Sequence, residues 1–316
     1  MSDIKQEYQL SLYEIGPVIS NNESSEVAIV KHSLSGKIYI RKRLYDNDSF
    51  QVHMQLKGHP HQNIATIEEI IVLNGVVYII LEYIQGLSVQ QLLDKKQMLD
   101  KEQTLAIMKQ ICDALMHLHT LDPPIIHRDI KPSNVMIEVD GTVKLIDFDA
   151  SRNYKIKAQK DTRNLGTEGY ASPEQFGYTQ TDIRSDIYSV GILFREMLTG
   201  INHGSHGIRD KKLAAIVNKS TKIDPQERYQ TADELKKDLC KTSKKLIIMG
   251  ILAGMILIVI LFSVFQQNKS DNDFKEVVTA MSPLELKEPA YTETENEESV
   301  QVTNSSEPMG ISNPVN

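Results

Sequence analysis

Apolar positions change their period along the 316-residue chain, and each change predicts a different kind of element. From about Tyr8 to Tyr83 they come in short β-branched and aromatic blocks, VAIV, KIYIRKRL and VVYIILEYI, which predict strands with one helix among them. After Gly86 the period turns helical. Leu105, Met108, Cys112, Leu115 and Leu118 recur at three- and four-residue steps, with Asp100 placed as an N-cap. MIEV and TVKLIDF then flank Asp140 and Gly141, a hairpin signal. The segment DIYSVGILFREML after Ser185 predicts a second buried helix, and Thr231 to Glu234 reads as a capping box opening a last one.

A third regime follows. Leu246 to Phe265 is a run of 20 residues without a charge, 14 of them Leu, Ile, Val or Phe. As a helix it spans roughly 30 Å, the thickness of a bilayer core. Lys241, Lys244 and Lys245 precede it, while Lys269, Asp271 and Asp273 follow, so the basic flank is expected to stay inside. Gly250 and Gly254 give the span a small-xxx-small face through which two copies could approach. The expected layout is a folded domain over 10–240, a basic juxtamembrane segment at 241–245, a transmembrane helix at 246–265 and a tail at 266–316.

Charge divides along the same lines. The tail holds three lysines against ten acids, which accounts for the whole formal charge of −7. With one aromatic residue in its acidic stretch and scattered prolines, it is expected to be disordered and extracytoplasmic. Residues 1–265 sum to about zero, which excludes the basic footprint of a nucleic-acid binder. Two cysteines, Cys112 and Cys240, support neither a disulfide framework nor a zinc site. MSDIKQEYQL lacks the features of a signal peptide, so the first domain is expected in the cytoplasm.

Candidate chemistry sits in HRDIKPSN, His127 to Asn134, and in LIDF, which ends at Asp147 and Phe148. Phosphoryl transfer needs a group to orient the attacking hydroxyl, divalent metal on the phosphates and a cation on the transferred charge. Asp129 can accept the hydroxyl's hydrogen bond, and Lys131 can reach the phosphoryl group. Asn134 and Asp147 are oxygen ligands suited to Mg²⁺.

With these motifs the chain resembles the protein kinase family, specifically the eukaryotic-like Ser/Thr kinases of bacteria, over roughly Leu10 to Cys240. The resemblance implies an α+β, two-lobed protein kinase fold, with a β-rich N-lobe over about 10–83 and a helical C-lobe over about 84–240. It implies ATP and Mg²⁺ as cofactors and Ser/Thr of proteins, its own included, as substrates. It places Lys42 on the nucleotide's phosphates and Val27 on adenine, and it makes Leu81 to Ile84 the hinge, with the Glu82 and Ile84 backbone at the adenine edge. GTEGYASPEQ resembles the substrate-binding loop, with Thr167 touching Asp129 and Lys131. Glu174 would pair with Arg228, Asp186 would anchor the catalytic loop, and Arg128 would receive a phosphate from the activation segment, with Thr162 the nearby acceptor.

Three positions depart from the family pattern. Ser20, Asn22 and Ser25 stand where the phosphate loop has glycines. The helix glutamate expected to meet Lys42 falls near Gln51 or Val52, with Asp48 a turn away as a substitute. Asp149 replaces the glycine of Asp-Phe-Gly, a residue type that tolerates left-handed backbone. The expected activity is that of a membrane-anchored Ser/Thr kinase; a pseudokinase acting as a scaffold is the alternative these departures leave open.

Overall fold

The computed structural model describes residues 2–23, 25–45, 49–95, 99–154, 167–176, 180–200 and 207–242. The chain opens with a helix, α1 (Ser2–Ser11), followed by β1 (Tyr13–Asn21), β2 (Ser25–His32), β3 (Ile38–Leu44), α2 (Phe50–Gly58), β4 (Ile67–Leu73) and β5 (Val76–Glu82). The strands form one antiparallel sheet in the order β1-β2-β3-β5-β4. The blocks read as strands are β2, β3 and β5. Tyr8 to Ser11 is helical instead. Its Tyr8 is exposed, while Leu10 packs with Leu12 on a small cluster of Tyr13, Val30, Ile71 and Ile80, so a few tertiary contacts decide a segment with little pattern of its own.

Beyond Glu82 the structure turns helical as expected. It runs through β6 (Gly86–Ser88), α3 (Val89–Asp94), α4 (Lys101–Thr120), β7 (Ile125–Ile126), β8 (Val135–Glu138), β9 (Val143–Leu145) and β10 (Arg152–Asn153). Three helices complete it: α5 (Ile183–Thr199), α6 (Lys211–Ser220) and α7 at 232–242. Asp100 caps α4 in a box with Gln103, and Leu105, Met108, Cys112, Leu115 and Leu118 are all buried. At about 1.5–3 kcal/mol for each large apolar side chain, that face fixes α4 in the core. Strands β8 and β9 form the predicted hairpin, turned by Gly141 at φ +88°. At α7 the Thr231 hydroxyl accepts from the Glu234 amide at 3.2 Å, but the Glu234 carboxylate accepts from the Gln230 amide, so the capping box is shifted by one residue.

One hydrophobic core serves both lobes: Leu44, Val52, Leu56 and Ile79 from the sheet side continue into Met108, Leu115, Ile130 and Phe148. The lobes are also stitched through backbone, since Leu145 donates to Asn63 O and Ala65 donates to Leu145 O, both at 2.9 Å. Gly86 lets β6 lie against β8, because a Cβ there would come within 2.0 Å of Ile137 O. Among the described residues no helix is long and apolar enough to cross a membrane; the run at 246–265 lies outside them, as does the tail.

Arg228 is 2% exposed and closes the helical lobe. Its Nη1 and Nη2 donate to Glu174 at 2.7 and 2.9 Å, and its remaining protons meet the carbonyls of Lys222, Arg184 and Ile223. Burial alone would raise the Glu174 carboxyl, but the Arg228 hydrogen bonds and charge outweigh it and hold it below the usual range. Arg228→Ala would strand that carboxylate at a cost of about 3–5 kcal/mol. Thermal unfolding at neutral pH is expected to show a fall on the order of 10 °C. A depressed carboxyl lends stability that is full above its unfolded pKa of about 4.3 and is lost as pH falls through the folded value, so the gap between the two proteins should narrow below about pH 4. A gap that is small at neutral pH or constant with pH would contradict this.

Candidate active site

Asp186 organises the loop that carries the candidate residues. It is fully buried on α5, and it accepts from the His127 amide at 2.9 Å, the Arg128 amide at 2.8 Å and His119 Nε2 at 2.9 Å. A carboxylate only accepts, so His119 must carry its proton on Nε2. Burial would raise the Asp186 carboxyl, yet the His119 hydrogen bond and charge and the Arg128 amide hold it low. Arg128 takes a left-handed backbone, φ +67°, which turns the chain so that two successive amides face one carboxylate. The opposing carbonyls are met too: Ser151 Oγ donates to His127 O at 3.0 Å and Gln175 Nε2 to Arg128 O at 2.8 Å.

That turn delivers Asp129 to a set of donors. Thr167 Oγ1 donates to Oδ1 at 2.6 Å, while Lys131 Nζ and Asn134 Nδ2 lie 2.8 and 3.0 Å from Oδ2. Lys131 also donates to Thr167 Oγ1 at 2.8 Å, so both contacts expected of Thr167 are present. A carboxylate with its two oxygens fixed in this way can receive a hydroxyl proton without first reorienting.

Asn134 and Asp147 lie on joined backbone, because the Ile146 amide donates to Asn134 O at 3.0 Å. The Asn134 amide is locked by two acceptors, Asp129 O at 2.9 Å and Asp129 Oδ2, which turns its own Oδ1 the other way. The Asp147 side chain is 40% exposed toward the cleft. One carboxylate and one amide oxygen fit Mg²⁺, which takes few protein ligands and completes its shell with phosphates and water. Among the described residues no cluster of three or more His, Cys, Asp or Glu offers an alternative.

Lys42 stands on the opposite wall. It is 5% exposed on β3, directly across the ladder from Val27, and Nζ lies 2.6 Å from Asp147 Oδ1 and 2.7 Å from Asp149 Oδ1. Burial would strip its proton, but the two carboxylates outweigh burial and raise its pKa. Burial likewise opposes the charge on Asp147, and Lys42 overrides it and keeps the carboxyl low. Glu82 closes β5, with its amide donating to Thr66 O and its carboxylate holding Lys144 Nζ at 2.6 Å and the Thr66 amide at 2.7 Å. Ile84 follows, half-buried between β5 and β6.

Gln51 is exposed, Val52 packs in the core, and Asp48 lies outside the described residues; the buried α2 side chain that interacts with the Lys42 charge cluster is His53. Its Nδ1 donates to Ser49 O at 2.9 Å, and burial first, then Lys42, lowers its pKa, so it is a neutral neighbour. The left-handed residue of the Asp-Phe-Asp turn is Asp147, φ +64°, and not Asp149. The β1–β2 hairpin closes without glycine: Asn22 Oδ1 accepts from the Ser25 amide at 2.9 Å, and Asn22 N donates to Ser25 O at 3.0 Å. Thr162 lies outside the described residues. His119, Ser151 and His53 have no sequence motif, and Gln175 lies at the end of GTEGYASPEQ without a role read from it; each role depends on tertiary placement.

The family model of the protein kinase domain matches residues 13–253, well over half of the chain. The chain belongs to the protein kinase family. It is 31% identical over 265 residues to a probable serine/threonine-protein kinase of Streptomyces coelicolor, covering 72% of this chain and 39% of that protein. It is 31% identical over 202 residues to the serine/threonine-protein kinase PrkC of Bacillus subtilis, covering 57% and 31%. Against PknB of Mycobacterium tuberculosis the identity is 26% over 270 residues, covering 72% and 42%. The chain thus spans under half the length of the curated relatives it matches.

Asp186→Asn would turn one acceptor into an NH₂ group facing backbone N–H donors, at a cost of at least about 2 kcal/mol. Hydrogen exchange at the His127 and Arg128 amides is expected to accelerate, and the melting temperature to fall. Unchanged exchange at both would show that Asp186 does not hold the loop.

Proposed function

We propose that this chain is a protein serine/threonine kinase that uses ATP and Mg²⁺ and is anchored in the membrane by residues 246–265. The observation that carries the reading is the convergence of Thr167, Lys131 and Asn134 on the two oxygens of Asp129, beside the joined backbone of Asn134 and Asp147. In this reading Asp129 orients the substrate's Ser or Thr hydroxyl and takes its proton as the hydroxyl oxygen bonds to the γ-phosphorus of ATP and the bond from that phosphorus to the bridging oxygen breaks, releasing ADP. Lys131 places positive charge beside the transferred group, and Lys42 places it on the nucleotide side. Asn134 and Asp147 are the metal ligands, with Val27 against the adenine and the backbone of Glu82 and Ile84 along its edge. Bound there, ATP would supply the phosphoryl group and Mg²⁺ would neutralise the charge that builds during its transfer. The Thr167 hydroxyl, fixed between Asp129 and Lys131, supports a site for Ser and Thr, as does the similarity to serine/threonine-protein kinases.

The domain layout follows from the sequence: a kinase domain over 10–240 on the cytoplasmic side, a single span, and the acidic tail of 266–316 on the other side. The basic residues Lys241, Lys244 and Lys245 support that orientation, and Gly250 with Gly254 mark where a homodimer would pack. Incubating the purified chain with Mg²⁺ and ATP labelled at the γ-phosphate is expected to place label on Ser or Thr of the chain itself and of a general protein substrate. Asp129→Asn should lower that incorporation by at least about 100-fold. Absence of label from the unaltered chain, with no nucleotide binding, would favour a scaffold.

A further inference from the structure

We propose that Asp149 is the permanent counter-ion of Lys42 and a positioning residue for the nucleotide site, leaving Asp147 free to hold the metal. The inference rests on the kinase reading for its consequence, but the pairing itself is visible in the charges around Lys42. An ammonium this buried needs a carboxylate, and α2, the helix packed beside it, contains no Asp or Glu. Its buried side chains are Val52, His53 and Leu56. The counter-charge therefore comes from the Asp-Phe-Asp turn.

The two acids of that turn are placed differently. Asp149 turns both oxygens inward: Oδ1 makes a charge contact with Lys42 Nζ at 2.7 Å without hydrogen-bond geometry, and Oδ2 accepts from Ser25 Oγ at 2.9 Å. Its side chain is 20% exposed against 40% for Asp147. Asp147 Oδ1 also faces Lys42, at 2.6 Å, while Oδ2 has no protein donor among the described residues. Both acids face the lysine, but only Asp149 also holds the hairpin, while the more exposed Asp147 keeps its second oxygen for another ligand.

This arrangement has a physical consequence. A carboxylate that accepts a divalent cation gives up much of its attraction for a neighbouring ammonium, and a buried lysine with a single acid would lose its hold at that moment. With Asp149 in place Lys42 keeps a full counter-charge. Asp149 also ties Lys42 to the end of the β1–β2 hairpin, since Ser25 is 1% exposed and sits where β2 begins. Because its backbone is not left-handed, the position carries a side chain without strain. Lys42, the hairpin and the metal-ligand turn thereby share one polar junction, and α2 has no charged part in it.

The test uses the full chain and two readouts. Asp149→Asn keeps the side chain's shape and its capacity to accept from Ser25, and removes only the charge. In the nucleotide-free protein, a double-mutant cycle of Asp149→Asn with Lys42→Met is expected to show the two effects on the unfolding equilibrium coupled by about tenfold. Additive effects would overturn the pairing. In calorimetry, Asp149→Asn should weaken Mg²⁺-ATP binding by about tenfold, whereas an unchanged affinity would overturn the positioning role. If the unaltered chain binds no Mg²⁺-ATP, the kinase reading and the positioning role fail together, while the cycle still decides the ion pair.

Discussion

Taking the Lys42 ammonium almost wholly out of water would cost several kcal/mol if nothing answered its charge. Two carboxylates answer it, Asp147 and Asp149, and both come from the turn that follows β9, on the far side of the cleft from β3. The sheet lobe therefore reaches its most buried charge balance through a segment of the helical lobe. Around this contact the backbone bridge between Asn63, Ala65 and Leu145 and the Lys144–Glu82 ion pair hold the same two walls in register. These charge and backbone contacts from both sides together fix the width of the cleft.

The same logic recurs deeper in the helical lobe. Asp186 and Glu174 are both buried carboxylates, and each is surrounded by fixed donors: two backbone amides and His119 for the first, Arg228 and the Ser185 hydroxyl for the second. Such groups add little net stability over an apolar replacement, but they admit only one arrangement of the backbone. That selectivity bends the chain at Arg128 and presents Asp129. Position, rather than an unusual property of any one side chain, gives the site its chemistry.

Much of this was legible in the sequence. The helical period from Leu105 to Leu118, the Asp140–Gly141 hairpin and the helix after Ser185 all appear, since long or strongly patterned segments carry their own decision. The polar spacing in HRDIKPSN also corresponds to a real contact, Asn134 to Asp129, because loop residues five apart reach one another by local geometry, whereas the Thr167 contacts span 36 and 38 positions and were legible only through the family resemblance. What was missed depends on long-range placement. The helix α1 is held by a small cluster, and the partner of Lys42 lies on a turn 107 positions away instead of on α2. No periodicity encodes such a pairing; it emerges only when the sheet and the hairpin are brought together. His53 illustrates the limit, since its burial on α2 follows from which face meets the core, while its neutrality follows from burial and a lysine on another element.

In the proposed function Lys42 and the Asp147 turn form one nucleotide site that needs a divalent cation. The most direct measurement is calorimetric titration with ATP, with and without Mg²⁺, of the unaltered chain and of Lys42→Met. Binding is expected to require Mg²⁺ in the unaltered chain and to weaken at least tenfold in Lys42→Met. Binding of equal strength in both proteins, indifferent to Mg²⁺, would contradict it.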